Sequence, residues 1–485
     1  MKYKYQIIEF VHPVLVALFF VFTVGIFSCS SENDPLPEEP PLSEDYEFEP
    51  PEPLSEDYEV WFNGTKAMVY VARVQDSPWE PERTGLDFGG NYSFASFDMD
   101  KPVEVTIKST NKALDHTILR PEKVNVMNLK KSRSELSFTI EKPSQIIVEP
   151  DGKNGPLLLF ANPKDDFVPD LNDPNLIHFE PGIHHPEGAL IEVGSNQTIY
   201  LAEGAIVKAG VRVQGDNVTI CGRGIIDGNE FVWGEFTRNL IAVEKSNNIT
   251  VKDVILRGSA SWTMPIRHSR NVVVDNVKIV GGRAQNDDGI NPCNSQDILI
   301  NNCFIRTDDD CIAAKGSTYL PDRENNVERI TVENSILWCD RARIFLLGHE
   351  SRAEYMRDMI FRNLDIVHFS MTPFLLEPGE DMRLENVVFE NIRINGEGQT
   401  ELIRLKPTVN QYMINKVPGY IHNITFKDIS VTGKQGPYKI QLIGADQQHT
   451  VDHVTFDGVS VLNQKITEDY SNLEIWNFVS DISFK

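Results

Sequence analysis

Beyond residue 171 the chain repeats one short pattern. It reads Asn or Asp, a β-branched residue, a Thr-like residue, a β-branched residue, a polar residue, a second Asn or Asp, two free positions, then Ile or Val. Copies begin at Asn196, Asn217, Asn248, Asn271, Asp297, Arg329, Asp358, Asn386, Asn423 and His453, spaced 21 to 37 residues apart. Asn248-Ile-Thr-Val-Lys-Asp-Val-Ile-Leu256 and Asn423-Ile-Thr-Phe-Lys-Asp-Ile-Ser-Val431 are the cleanest. A period of short β-runs with no helical repeat between them is the signature of a stacked solenoid. Each coil then sets its strands about 4.8 Å above those of the coil before. Inward Ile, Val and Phe stack into one core, and corner Asn side chains bond to their neighbours above and below. A leucine-rich horseshoe would need Leu-x-x-Leu-x-Leu, which is missing here. The expected fold class is therefore all-β, with a parallel β-helix over residues 169–485.

The segments ahead of the solenoid read differently. Lys2 and Lys4 precede an apolar run from Val14 to Phe27, followed by Ser28-Cys29-Ser30. A basic start and an apolar run of roughly 14 residues form a secretory signal, short for a membrane span. Ile26-Phe27-Ser28-Cys29 resembles a bacterial lipobox, which implies cleavage and lipidation at Cys29. Residues 1–29 are thus expected to be a signal peptide and 30–59 a stiff, solvated linker. That linker is proline-rich, holds twelve Asp or Glu and no Lys or Arg, and repeats Pro-Leu-Ser-Glu-Asp-Tyr-Glu at 41–47 and 53–59. An acidic stretch after a lipidated Cys resembles surface lipoproteins of Gram-negative bacteria. It implies secretion across the inner membrane, an outer-membrane or cell-surface location, and membrane contact through the lipid alone. Residues 60–168 show period-two stretches such as Val103-Glu-Val-Thr-Ile-Lys108 and Glu135-Leu-Ser-Phe-Thr-Ile140, which predict a small β-sandwich with no constellation that carries chemistry.

The net charge of −25 argues against nucleic acid as a partner, although the linker holds almost half of it. After Cys29 five cysteines remain, Cys221, Cys293, Cys303, Cys311 and Cys339, an odd set without a C-x-x-C pair. Neither a zinc site nor a full disulfide framework follows, and buried thiols are expected.

One coil stands apart. Asn286-Asp287-Asp288-Gly289 is followed, 21 and 22 residues past Asp288, by Asp309 and Asp310 within Thr307-Asp308-Asp309-Asp310-Cys311. A separation near one coil means vertical stacking, so five carboxylates should crowd together and raise one another's proton affinity. Such crowding costs stability and is seldom structural. Glycoside hydrolysis needs a protonated carboxyl for the leaving oxygen and a carboxylate to activate water or attack carbon, and a cluster with split proton affinities can supply both. A calcium site or an inert acidic corner are the competing readings.

These residues resemble glycoside hydrolase family 28, the polygalacturonases. Asn286-Asp-Asp-Gly289 and Asp309-Asp310-Cys311 match its N-T-D-G and D-D-C motifs, and Gly222-Arg-Gly-Ile-Ile-Asp-Gly228 with Trp233 matches its early G-x-G-x-I-D-G segment. The resemblance implies a right-handed parallel β-helix, Asp309 as general acid, Asp288 and Asp310 holding the attacking water, and inversion at the anomeric carbon. Two departures stand out. The phase of the family's G-H-G falls on Asp340-Arg341-Ala342, with Gly348-His349-Glu350 eight residues late. The phase of its uronate-gripping R-I-K falls on Phe374-Leu375-Leu376, while Arg404-Leu405-Lys406 lies one coil further on. Trp338-Cys339 through Gly348, then Ser351-Arg352, resembles the sister family 49 of dextranases and isopullulanases, which also carries a β-sandwich before the β-helix. Both share the three-aspartate mechanism.

The resulting expectation is a monomeric inverting hydrolase of an extracellular polysaccharide, either pectic galacturonan or a dextran-type glucan. It needs no metal or cofactor, and Arg341, His349, Arg404, Lys406 and Trp233 are candidate substrate contacts. Trp262 and Trp338 are further candidate sugar platforms. A polysaccharide lyase on the same fold and a non-catalytic glycan-binding protein are the alternatives. Gly316–Asn326 and Gly396–Tyr420 are expected to leave the solenoid as loops.

Overall fold

The computed structural model describes residues 53–75, 88–234 and 238–485. The signal sequence, Cys29 and most of the acidic linker lie outside these residues. Among the described residues there is no α-helix, and a single short 3-10 turn at Glu187–Ala189 interrupts the strands. Two five-stranded sheets built between Tyr58 and Pro163 face each other over Val60, Val105, Ile107, Leu136, Phe138, Val148 and Leu159. The first strand, Tyr58–Phe62, starts inside the segment expected to be linker. Tyr58 is buried, and its hydroxyl donates to Gly155 O at 2.7 Å, so the second acidic heptapeptide ends as sheet rather than tether.

From Leu176 onward the chain winds into a parallel solenoid with one twenty-one-stranded and one eleven-stranded sheet. In the early coils the repeat pattern supplies a strand such as Asn247–Lys252 and a short partner such as Ile255–Arg257, both in the larger sheet. The third side, such as Met264–Arg267, joins the eleven-stranded sheet. From Tyr355 the first two merge into long strands, Tyr355–His368, Arg383–Glu397 and Tyr420–Lys434. The expected loop from Gly396 is accordingly shorter, because Glu401–Leu405 returns to the eleven-stranded sheet and only the stretch after it departs.

The corners explain the sequence pattern. All ten repeat starts, Asn196 through His453, have φ between 54° and 63°, in the left-handed region that Asn and Asp tolerate best. Their amides form a ladder: Asn217 donates to Asn196 at 3.0 Å, Asn248 to Asn217 at 3.0 Å and Asn271 to Asn248 at 3.2 Å. The second Asn or Asp of the pattern builds a parallel ladder, in which Asn276 donates to Asp253 at 2.7 Å and Asn302 to Asn276 at 3.2 Å. Inside, Phe361, Phe389, Phe426, Phe456 and Phe484 stack one per coil at 4.8 to 5.4 Å. All five cysteines from Cys221 on are free and buried.

The sandwich docks on the solenoid along a second apolar seam. Phe94, Ile147, Leu158 and Phe160 meet one residue per coil from Ile206, Ile225, Ile255, Val280, Phe304 and Ile336. This is why Leu157-Leu-Leu-Phe-Ala161 is apolar without alternation: both faces of that strand are covered. Trp338, a candidate sugar platform, lies fully buried in this seam, 3.9 Å from the Arg306 guanidinium, and packs rather than binds.

The corner ladder yields a graded expectation. Asn248→Ala loses the amide bonds and strains a left-handed corner, and should destabilise the solenoid by about 2 kcal/mol. Asn248→Gly keeps the corner and should cost about half as much. Calorimetric melting of the three proteins checks both the sign and the order.

Candidate active site

Three successive coils of the eleven-stranded sheet carry the acidic cluster. Gly289 N–H donates to Asp310 O at 2.8 Å and Cys311 N–H donates to Arg343 O at 3.0 Å, while Ile290 pairs with Ile312 and Ile312 with Phe345. Asp288, Asp310 and Arg343 therefore sit one above another, just before the strands Ile290–Cys293, Ile312–Gly316 and Phe345–Ser351.

The five aspartates divide into two kinds. Asp287, fully buried, accepts backbone N–H groups from Gly282 at 2.7 Å, Asp308 at 2.6 Å and Asp309 at 3.2 Å, and so ties down the turn that presents the others. Asp308 is held by the Arg341 guanidinium and by the side-chain amide of Gln75, which reaches in from the sandwich side of the chain. The remaining three face the groove. Asp288 accepts from Asn291 Nδ2 at 2.7 Å and from Lys315 Nζ at 3.1 Å. Asp310 takes the Arg343 backbone N–H and its guanidinium, each at 3.0 Å. Asp309 accepts the Asp310 N–H at 3.0 Å and, more loosely, Asn286 Nδ2 at 3.4 Å, with Arg341 3.9 Å away. Its side chain is 17% exposed, against 3% for Asp288 and 2% for Asp310. It is the carboxyl of the three that a ligand can reach.

Burial pushes Asp288 up to about 6 and Asp310 up to about 7, with Lys315 and Arg343 opposing it. Burial also pushes Asp308 up to about 8 against Arg341. Lys315 feels the reverse balance: burial disfavours its charge, but Asp288, Glu350 and Asp310 outweigh that and hold the ammonium above its usual value. Each buried carboxylate of the groove thus faces a permanent cation of the chain itself, an arrangement that meets the acidic charge without a metal ion.

Lys315 and Arg343 were missed in the sequence. Lys315 had a signal: a lone lysine in Ile312-Ala-Ala-Lys-Gly316 has to point out of the core. Trp262, half-buried, underlies it, with the Lys315 Nζ 3.9 Å from its ring. Of the proposed substrate contacts, Arg341 is brought beside Asp309. His349 lies on the strand Phe345–Ser351, its Nδ1 3.3 Å from Glu377 and its ring 5.3 Å from that of Tyr412. Trp233 lies on the loop after Gly228, half-buried, next to Phe231, whose carbonyl accepts from Arg283 at 2.8 Å. Arg404 is engaged by Glu401 and by Gln441 Oε1 at 3.1 Å, two coils past the strand that carries Arg343's neighbours, so it is drawn away from the cluster. Lys406 follows it at the edge of the same strand. Phe374–Leu376 pairs in register with Phe345–Leu347, and it is apolar and buried.

Residues 195–333, which include the three groove aspartates, match the model of glycosyl hydrolases family 28. Over 132 residues the chain is 33% identical to a probable polygalacturonase of Vitis vinifera, covering 25% of this chain and 27% of that protein. Over 254 residues it is 23% identical to exopolygalacturonase X-1 of Emericella nidulans, covering 46% and 55%. The chain thus spans about a quarter and about half of these relatives' lengths. Dex49A from Penicillium minioluteum superposes with a TM-score of 0.64 at 15% identity, over 90% of this chain and 95% of that one, a likeness of fold. The resemblance to family 28 read from the motifs holds over residues 195–333.

The electrostatics make a testable trade-off. A carboxyl whose proton affinity rises on folding weakens the fold wherever it is ionised. For Asp310 that penalty is absent below the unfolded value of about 4 and complete above about 7. Asp310→Asn should therefore melt at a higher temperature than the parent at pH of about 8, with the gap closing as pH falls toward about 4.

Proposed function

We propose that this chain is an inverting glycoside hydrolase that cleaves α-glycosidic bonds of an extracellular polysaccharide. The observation that carries the reading is the unequal treatment of three stacked carboxyls. Asp288 and Asp310 each face a fixed cation, Lys315 and Arg343, which favours their ionised forms against burial. Asp309 is more exposed and is hydrogen-bonded by neutral amides. In this reading Asp309 protonates the glycosidic oxygen as the bond breaks. Asp288 and Asp310 hold the attacking water between them and take its proton. Arg341, close to Asp309 and anchored by Asp308, orients the leaving sugar and stabilises the carboxylate left on Asp309 once its proton is given up. The family match over residues 195–333 and the polygalacturonase relatives support hydrolysis. A lyase needs a free cation against a uronate and a base for its neighbouring proton, whereas the cations here are committed to the chain's own aspartates.

Of the two candidate polymers, the neutral α-glucan has the support of the site. Where a uronate carboxylate would be gripped, Phe374–Leu376 is buried and packs beside Leu346 and Ala313, and Arg404 is held by Glu401. Galacturonan is the second reading, supported by the names of the sequence relatives. The lipobox-like Ile26–Cys29 supports a lipid-tethered enzyme at the cell surface.

Purified protein incubated with dextran, pullulan, homogalacturonan and rhamnogalacturonan should release reducing ends from one of them, in the presence of EDTA as in its absence. Asp309→Asn should lower kcat by about 10²–10⁴-fold on that substrate while melting normally. Binding of oligosaccharide without release of reducing ends would leave a glycan-binding protein. Ultraviolet-absorbing products would mean a lyase.

A further inference from the structure

The corner ladder changes character at the end of the solenoid. Strands Tyr420–Lys434, Val451–Asp457 and Val479–Phe484 stack in parallel, with His422 in register with Asp452 and Asp452 with Ser480. Asn423, His453 and Asp481 therefore occupy the ladder position on three successive coils, each at φ 55°. Asn423 continues the ladder downward, donating to Asn386 Oδ1 at 2.8 Å. Above it, the amide is replaced by an imidazole and then a carboxylate.

The replacements converge on one point. His453 Nδ1 lies 2.7 Å from Asp452 Oδ1, and His422 Nδ1 contacts that same oxygen. Asp481 Oδ2 approaches His453 Nδ1 at 3.8 Å, and the two imidazole centroids are 4.8 Å apart. Asp452's other oxygen accepts the Thr450 hydroxyl at 3.0 Å, which fixes the carboxylate's orientation. Among the described residues this is the one group of His, Cys, Asp and Glu side chains whose ligand atoms all lie within 4.8 Å of one another. The fold itself does not ask for it. An Asn at 453 would extend the amide ladder, as Asn217, Asn248, Asn271, Asn386 and Asn423 do, and both imidazoles are half exposed rather than packed, at 47% and 56%.

We propose that His422, Asp452 and His453, with Asp481 as fourth ligand, bind a divalent d-block cation of the zinc class on the outer face of the last three coils. Two imidazole nitrogens and carboxylate oxygens suit zinc, nickel or copper and leave calcium poorly served. The Thr450 hydroxyl is the outer partner that such carboxylate ligands commonly have. Bound there, the ion replaces the hydrogen bonds that now join the rings to Asp452. It bridges the successive coils that carry these ligands. The site lies on the larger sheet, away from the catalytic strands of the eleven-stranded one, so its role is to clamp the fold.

Calorimetric titration of the full chain with zinc chloride tests this. Binding of one ion per chain is expected, with a rise in melting temperature that EDTA reverses. His453→Asn restores the ladder amide, so it should fold as the parent does while binding zinc at least about tenfold more weakly; Asp452→Asn should weaken it similarly. His116→Asn, an exposed histidine on the sandwich, should change nothing. No measurable zinc binding by the parent, equal binding by His453→Asn, or calcium binding as tight as zinc would overturn the assignment.

Discussion

Everything in this molecule depends on parallel coils stacked in register. Coil-to-coil backbone bonds, such as Gly289 N to Asp310 O and Cys311 N to Arg343 O, turn sequence separations of about one coil into direct vertical contact. No single coil can bury its own apolar face, so the core of stacked Ile, Val and Phe exists only in the assembled solenoid. The same rule lets acids 22 residues apart share one groove, and lets Asn residues 21 to 37 apart share one hydrogen-bonded column.

The sandwich belongs to this arrangement mechanically. Arg306, immediately before the catalytic turn, lies fully buried between Tyr92 of the sandwich, 4.0 Å away, and Trp338, and pairs with Asp340 at 3.0 Å. Tyr92 itself donates to Gly281 O at 2.7 Å. A little further along, Gln75 grips Asp308, which grips Arg341, which stands beside Asp309. A chain of polar contacts thus runs from the sandwich to the carboxyl assigned as the acid. Holding five aspartates in so small a volume is electrostatically costly, and the buried cations and backbone donors around them offset that cost.

Much of this was written in the residues. The repeat's first and sixth positions, mostly Asn or Asp, are the two left-handed corners, and Asn and Asp both tolerate positive φ and can hydrogen-bond to the coils above and below. That five acids share one face followed from spacing, and the choice of Asp288, Asp309 and Asp310 among them came from the resemblance to family 28. The division of five acids into three for the groove and two for the turn was not legible, because it depends on which backbone N–H groups a turn exposes. Arg343 went unnoticed because motif phase drew attention to Arg341, two residues earlier. Arg404 looked like a substrate clamp until its coil placed Glu401 and Gln441 against it. Trp338 looked like a sugar platform because no local pattern reveals that a strand's outer face will be covered by another sheet. The same non-local burial hid Tyr58 at the end of an acidic, proline-rich run.

The central claim is that Asp309 delivers a proton from one side while Asp288 and Asp310 hold a water for the other, so that the reaction displaces the leaving sugar in a single step. Proton NMR of the hemiacetal at the first moments of hydrolysis tests this most directly. The account predicts that the first-formed anomer carries the β configuration, opposite to the α bond cleaved, and equilibrates afterwards by mutarotation. A first-formed α anomer, or a glycosyl-enzyme adduct on one of the three aspartates, would contradict it.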